Sequence, residues 1–183
     1  MKKIIIAAAA FVSFGFAANA QTNTNAQQTV NLSLTDAIEL TFTGSGTATG
    51  ASVTLPFTTV NDYANGVTSA AQQLKVRSNK NFTVAVKSNA ANFTYTGSTT
   101  PAPTMPVSGV LGVVVSANGT GGTIASPFSA STYSTLTATN QSLITNGTRG
   151  GNQTFSVQYQ GTPGFAYPAG NYAVDVVYTA TQL

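Results

Sequence analysis

The side chains that most often perform catalysis are scarce in this chain of 183 residues, which contains no histidine, no cysteine and no tryptophan. Their absence removes the usual general base, the thiolate nucleophile and most ligands of a transition metal. The only carboxylates are Asp36, Glu39, Asp62 and Asp175. Any catalytic chemistry would have to come from these four groups together with hydroxyl and lysine side chains.

Three chemistries use such residue types. A glycosidase needs two carboxylates about 5–9 Å apart. A serine nucleophile with a lysine base needs a pair such as Ser78 and Lys80. An intramolecular bond between lysine and asparagine needs a lysine buried beside a carboxylate. Each of the three therefore depends on where the charged side chains point.

Charged residues on the predicted strands alternate with apolar ones. This holds for Glu39, Lys75, Lys87 and Asp175. Successive side chains of a strand point to opposite faces, so these charges are predicted to be solvated. The segment Ser78–Lys80 has the composition of a hairpin turn. The sequence therefore predicts a protein that is not an enzyme and has no catalytic residue, cofactor or metal ligand.

Apolar and polar residues alternate with a period of two in segments along the whole chain, and turn-forming residues separate these segments. Thr, Val, Phe and Tyr suit a pleated surface, whereas Gly, Asn and Pro end strands. We predict an all-β fold, a single antiparallel β-sandwich of immunoglobulin-like type with about 8–10 strands, over residues 29–183. The main alternating or apolar segments are residues 30–34, 38–42, 53–57, 74–76, 82–86, 110–115, 155–159 and 172–178.

The N-terminus has the pattern of a signal peptide. Met1–Lys3 is basic, Ile4–Phe16 is apolar, and Ala18 and Ala20 are the small residues that a signal peptidase requires. The apolar run is shorter than the roughly 20 residues of a membrane span. We predict a signal peptide over residues 1–20 that is cleaved after Ala20. The protein is then exported to the periplasm, cell surface or medium, and retains no membrane span.

Removal of this leader changes the charge. Two of the seven basic residues are Lys2 and Lys3, which leaves five basic and four acidic residues and a net charge of +1. A nucleic-acid surface needs several clustered cations. The closest approach to one is the set Lys75, Arg77, Lys80 and Lys87. We predict no nucleic-acid partner.

The first alternating segment follows a polar stretch, residues 21–28, that is predicted to be a flexible tail. Val30, Leu32 and Leu34 alternate with polar residues. This short strand either pairs within its own domain through residues 35–37 or is donated to an open sheet edge of another subunit. In the second case these three residues contact the partner.

Aromatic residues cluster around a predicted turn near the C-terminus. They are Phe165, Tyr167 and Tyr172. Exposed rings stack on sugars, which makes these residues candidates for contact with a cell-wall or host glycan. The alternative is a hydrophobic corner that locks the final hairpin, as tyrosine corners do in sandwiches.

Two segments carry a resemblance to a known family. Leu74–Val84 resembles the middle of WxL-type cell-surface domains, where a strand of the form L-x-V-x-D precedes a tight turn and the first W-x-L motif. Tyr172–Thr181 lies where such domains end. Phe82–Val84 and Tyr178–Ala180 occupy the two W-x-L positions, and both lack tryptophan. The resemblance implies a secreted bacterial all-β domain associated with the cell wall.

The C-terminal region carries a second resemblance. Pro168–Tyr172, followed by an alternating terminal strand, is similar to the G-x-Y ending of spore-coat-U-like proteins and chaperone–usher pilin subunits. Tyr167–Gly170 and Val177–Gln182 resemble secreted proteins of Bacteroidota. These resemblances imply a surface location and an all-β fold.

Two classes of function follow from the sequence. In the first, the protein is a non-enzymatic structural or adhesive protein of the cell surface, such as a self-associating coat or fimbria-like subunit, with itself or other surface subunits as partner. In the second, it is a monomeric module that binds glycan or peptidoglycan.

Overall fold

A computed structural model describes residues 25–183. The predicted signal peptide, its cleavage site at Ala20 and the start of the predicted tail lie outside these residues. The compact unit of the fold spans Thr35–Leu183, whereas the predicted domain begins at residue 29. Residues 25–34 belong to a separate unit and contain no regular secondary structure.

Twelve strands and one short helix make up the described part of the chain. They are β1 Ile38–Phe42, α1 Val60–Asn65, β2 Val67–Thr68, β3 Gln72–Ser78, β4 Phe82–Ser88, β5 Thr94–Thr96, β6 Leu111–Asn118, β7 Thr123–Ile124, β8 Ser134–Thr135, β9 Gln141–Gly147, β10 Gly150–Gly161, β11 Asn171–Ala173 and β12 Val176–Gln182. The count exceeds the predicted eight to ten because five of the strands have only two or three residues. No helix in residues 25–183 is long and apolar enough to cross a membrane.

The strands form two main antiparallel sheets. The larger one has the order β1-β3-β10-β6-β8, with β2 also paired to β10. The smaller one has the order β12-β4-β9-β7, and β5 and β11 form a separate two-stranded ribbon. All strand pairs in the described residues are antiparallel. The predicted all-β, antiparallel fold is confirmed.

The core lies between the two main sheets because the alternation places one apolar face of each sheet inward. Leu74 and Val76 of β3 are fully buried, and so are Phe82, Val84 and Val86 of β4. They belong to one hydrophobic cluster that also contains buried residues of β6, β9 and β10. The two sheets therefore pack in a sandwich-like arrangement.

Two segments with strand-like alternation are not strands. Residues 30–34 contain no strand, although their alternation predicts one. Val53, Leu55 and Phe57 are half-buried and alternate with exposed residues, but they also form no ladder. Pro56 lies within this second segment and has no N–H to donate to a neighbouring strand.

Candidate functional site

The two acidic residues nearest the N-terminus form exposed ion pairs. Asp36 Oδ2 lies 2.7 Å from Lys80 Nζ, and Glu39 Oε2 lies 3.3 Å from Arg77 Nη1. Glu39 lies on β1 with 52% of its side chain exposed, which confirms its predicted outward direction. Exposed pairs of this kind contribute about 0–1 kcal/mol to stability. Both carboxylates therefore lie on the surface beside a cation.

The other two carboxylates stabilise local structure. Asp62 accepts hydrogen bonds from the N–H groups of Thr59 and Thr58, and these bonds hold the pKa of Asp62 below its usual value. Asp175 is exposed and accepts a hydrogen bond from Asn89 Nδ2 at 2.8 Å. Within residues 25–183, no three Asp, Glu, His or Cys side chains form a group that could hold a metal ion.

Ser78 and Lys80, the candidate nucleophile and base, lie in the turn between β3 and β4. Ser78 Oγ donates a hydrogen bond to the carbonyl of Lys80 at 2.7 Å and accepts one from its N–H at 3.2 Å. The ammonium of Lys80 bonds Asp36 instead. The serine hydroxyl thus caps the turn, as the hairpin interpretation predicts.

The residues just before β1 are tied to the same turn by a group of hydrogen bonds, which we call the clasp. Asn79 Nδ2 donates to the carbonyl of Thr35 at 2.7 Å, and Asn79 Oδ1 accepts from the N–H of Ala37 at 3.0 Å. Gln182 Nε2 donates to the carbonyl of Ala37 at 2.9 Å. The ion pair of Asp36 adds a further link. The clasp fixes three consecutive residues, 35–37, against the β3–β4 turn.

The candidate partner-contact residues lie immediately before the clasp in sequence. Val30, Leu32 and Leu34 have relative exposures of 77%, 86% and 87%. Large apolar side chains in an alternating row are unusual at such exposure, because their burial is the main favourable term in folding and association. We refer to residues 30–34 as the apolar segment.

An apolar groove lies within the compact unit where the edges of the two main sheets meet. Strand β1 ends the larger sheet, and β12 ends the smaller one. The ring of Phe42 on β1 contacts the ring of Tyr178 on β12 edge-on, with centroids 6.2 Å apart. The groove has a volume of about 370 Å³ and an uncharged lining. Its main apolar lining residues are Leu40, Phe42, Leu74, Val176, Tyr178 and Ala180.

The aromatic residues predicted near the C-terminus lie at a different place on the compact unit. Tyr172 on β11 pairs with Tyr95 on β5, and their ring centroids are 5.0 Å apart. Tyr167 contacts Tyr172 edge-on at 6.5 Å. Phe165 is 68% exposed and stacks on Tyr63 of α1 at 5.6 Å. The structure thus adds Tyr63 and Tyr95 to the three predicted residues.

The hydroxyl groups of this aromatic cluster bond the loop that follows β10. Tyr172 donates to the carbonyl of Pro168 at 2.9 Å, and Tyr95 donates to that of Ala169 at 3.2 Å. Partial loss of solvation raises the pKa of Tyr172, and the neighbouring tyrosines raise it further. These bonds hold the loop in place, as expected of a hydrophobic corner. The outer face of Phe165, in contrast, contacts solvent.

Neither the models of known protein families nor the curated protein sequences match this chain.

Sequence reasoning missed the groove and found only its individual residues. Leu40, Val176 and Tyr178 were expected as inward-facing strand residues, and they pack against the core. Their proximity depends on β1 and β12 lying at the ends of different sheets. Periodicity carries no signal for strand order, so the sequence could not bring these residues together.

Proposed function

We propose that this chain is a non-enzymatic, exported protein of the bacterial cell surface that has a structural or adhesive role and associates with copies of itself. Export is proposed from the leader in residues 1–20. The observation that carries self-association is the exposure of Val30, Leu32 and Leu34 in an alternating row.

The energetics support association through the apolar segment. Burial of two leucines and a valine contributes about 5 kcal/mol. An added strand also satisfies backbone N–H and C=O groups along an open sheet edge, and its alternate side chains fill pockets. The resemblance of the C-terminal region to pilin and coat subunits is in line with this mode of assembly.

The second candidate function is a monomeric module that binds glycan. It is favoured by one observation, the exposed ring of Phe165, whose inner face is covered by Tyr63. A flat apolar ring supported from behind is suited to stacking against the C–H face of a sugar. This candidate predicts a monomer that is retained on polysaccharide.

Replacement of one residue in the apolar segment tests self-association. We expect Leu32→Asp to abolish oligomers, because the new carboxylate cannot enter an apolar site without a large desolvation cost. The melting temperature should stay that of the wild type, since Leu32 is 86% exposed. Asn31→Asp is the matched control, with the same new charge at the opposite parity. Size-exclusion chromatography with light scattering and thermal melts provide the readouts.

The opposite result is equally clear. A wild-type protein that remains monomeric at high concentration contradicts the proposed self-association, and its retention on polysaccharide would then favour the glycan module. A marked fall in the melting temperature of Leu32→Asp would show that the segment pairs within its own chain.

A further inference from the structure

We propose that the groove between β1 and β12 is the acceptor site for the apolar segment of a second copy of this chain, which adds as a strand to the open edge of β12. This inference rests on the proposed self-association.

The backbone of β12 has the pattern that an added strand requires. At its two ends, Leu183 N donates to Asn81 O at 2.8 Å, and Asn89 N donates to Asp175 O at 2.9 Å. In an antiparallel ladder, alternate residues direct both backbone groups to the same neighbour. The backbone N–H and C=O groups of the odd-numbered residues of β12 therefore point toward β4. The N–H and C=O groups of Val176, Tyr178 and Ala180 face the open edge.

The edge of β1 offers fewer free backbone groups than the edge of β12. Thr43 N donates to Gln73 O and Asn79 N donates to Ala37 O, so the odd-numbered residues of β1 face β3. Of the residues that face the other way, Phe42 already uses its backbone groups in the turn that follows β1. The outermost strands at the far ends of the two sheets, β7 and β8, have only two residues each. Among the described strands, β12 provides the longest open edge.

The apolar segment matches this edge in spacing and chemistry. Val30, Leu32 and Leu34 recur every second residue, as do the open-edge residues of β12. Five extended residues span about 13 Å in either strand. The segment has no charged residue, and neither does the groove lining. A strand paired with β12 would direct alternate side chains toward Leu40 and Phe42 on the opposite wall.

The clasp favours a second copy over the same chain. For the apolar segment to return along its own domain, the chain would have to reverse direction at residues 35–37. Each of these three residues is bonded to the β3–β4 turn through Asn79 or Lys80. Formation of a hairpin would break those contacts, whereas donation to another molecule leaves them intact.

Two complementary variants of the full chain test the acceptor site. Leu32→Asp damages the donor and keeps the groove, and Ala180→Glu places a charge in the groove and keeps the donor. We expect each variant alone to be monomeric, with the dissociation constant raised at least about tenfold because an unpaired carboxylate is expensive to bury. An equimolar mixture should form a one-to-one dimer and nothing larger, since only one groove and one segment remain functional.

The controls separate assembly from folding. Thr181→Glu introduces the same charge on the exposed face of β12, at a residue that does not line the groove, and should assemble like the wild type. Ala180→Pro is a second acceptor variant, because it removes an N–H that faces the open edge and leaves the ladder with β4 in place. Thermal melts verify that both acceptor variants are folded.

Each remaining outcome overturns a specific statement. If folded Ala180→Glu and Ala180→Pro assemble like the wild type, the groove is not the acceptor, and the proposed self-association stands. If the single variants are monomeric and their mixture forms no dimer, the acceptor assignment is also wrong. If the wild type never assembles, the proposed function itself fails.

Discussion

At the scale of single residues, one pair of tyrosines links the two main sheets through the core. The hydroxyl of Tyr159 on β10 lies 2.9 Å from that of Tyr178 on β12. Tyr178 also packs against the rings of Phe42 and Phe155. Loss of solvation raises the pKa of Tyr178 well above its usual value, and burial raises the pKa of Tyr159 as well. Ionisation of either hydroxyl therefore disfavours the packing of the two sheets.

This pair predicts alkaline unfolding. Both tyrosines ionise near pH 10 in the unfolded chain but only at higher pH in the folded protein, so the unfolded state binds fewer protons in that interval. We expect the free energy of unfolding to be constant below about pH 10 and to fall above it, by about 1.4 kcal/mol per pH unit for each such group. Tyr178→Phe should give a shallower fall. Urea unfolding from pH 8 to 11 measures both slopes, and equal slopes would contradict the assignment.

At the scale of elements, alternation predicted the strands whose apolar face is buried. Leu74 and Val76 of β3 lie inward as expected, and so do Phe82, Val84 and Val86 of β4. The same alternation wrongly predicted a strand at residues 53–57, where Pro56 removes a donor from the ladder. Helix α1 was missed because its six residues make fewer than two turns, which is too short for a 3.6-residue repeat to be visible. Its only sequence signal is the capping pair Thr59 and Asp62.

The sequence predicted part of the aromatic cluster but not the groove. Phe165, Tyr167 and Tyr172 are close in sequence and were found together, whereas Tyr63 and Tyr95 reach them only through the fold. The same limit applies to the groove. Local alternation determines which way a side chain points, but the order of strands in a sheet depends on contacts between distant segments.

The loop before β7 contains a glycine, Gly122, that lies close to the backbone of β9. A Cβ atom on Gly122 would lie 2.5 Å from Thr145 O and 2.7 Å from Gly147 N, both backbone atoms of β9. We expect Gly122→Ala to destabilise the fold by about 1–3 kcal/mol, because the strand would have to move. Gly151→Ala is the control, since nothing lies within 4 Å of its Cβ position. Urea denaturation of both variants measures the difference, and equal stabilities would refute the close approach.

At the scale of the whole molecule, polarity comes from hydroxyl and amide groups more than from charge. Charged residues form only 6% of the chain, and after removal of the predicted leader the net charge is +1. In the described residues, the acidic side chains Asp36 and Glu39 are paired with cations. Long-range electrostatic forces between copies are therefore weak. The proposed association of copies would then depend on apolar contact and backbone hydrogen bonds.

The response to salt distinguishes this kind of assembly from a charge-driven one. Exposed ion pairs are largely screened at about 1 M salt, where the Debye length is about 3 Å. Neither the apolar segment nor the groove lining contains a charge. We therefore expect the oligomer distribution in sedimentation velocity to be the same in about 0.05 M and about 1 M sodium chloride. Ammonium sulfate should shift it toward larger species, because sulfate strengthens apolar burial. Dissociation in sodium chloride would show that ion pairs hold the copies together and would contradict association through the apolar segment.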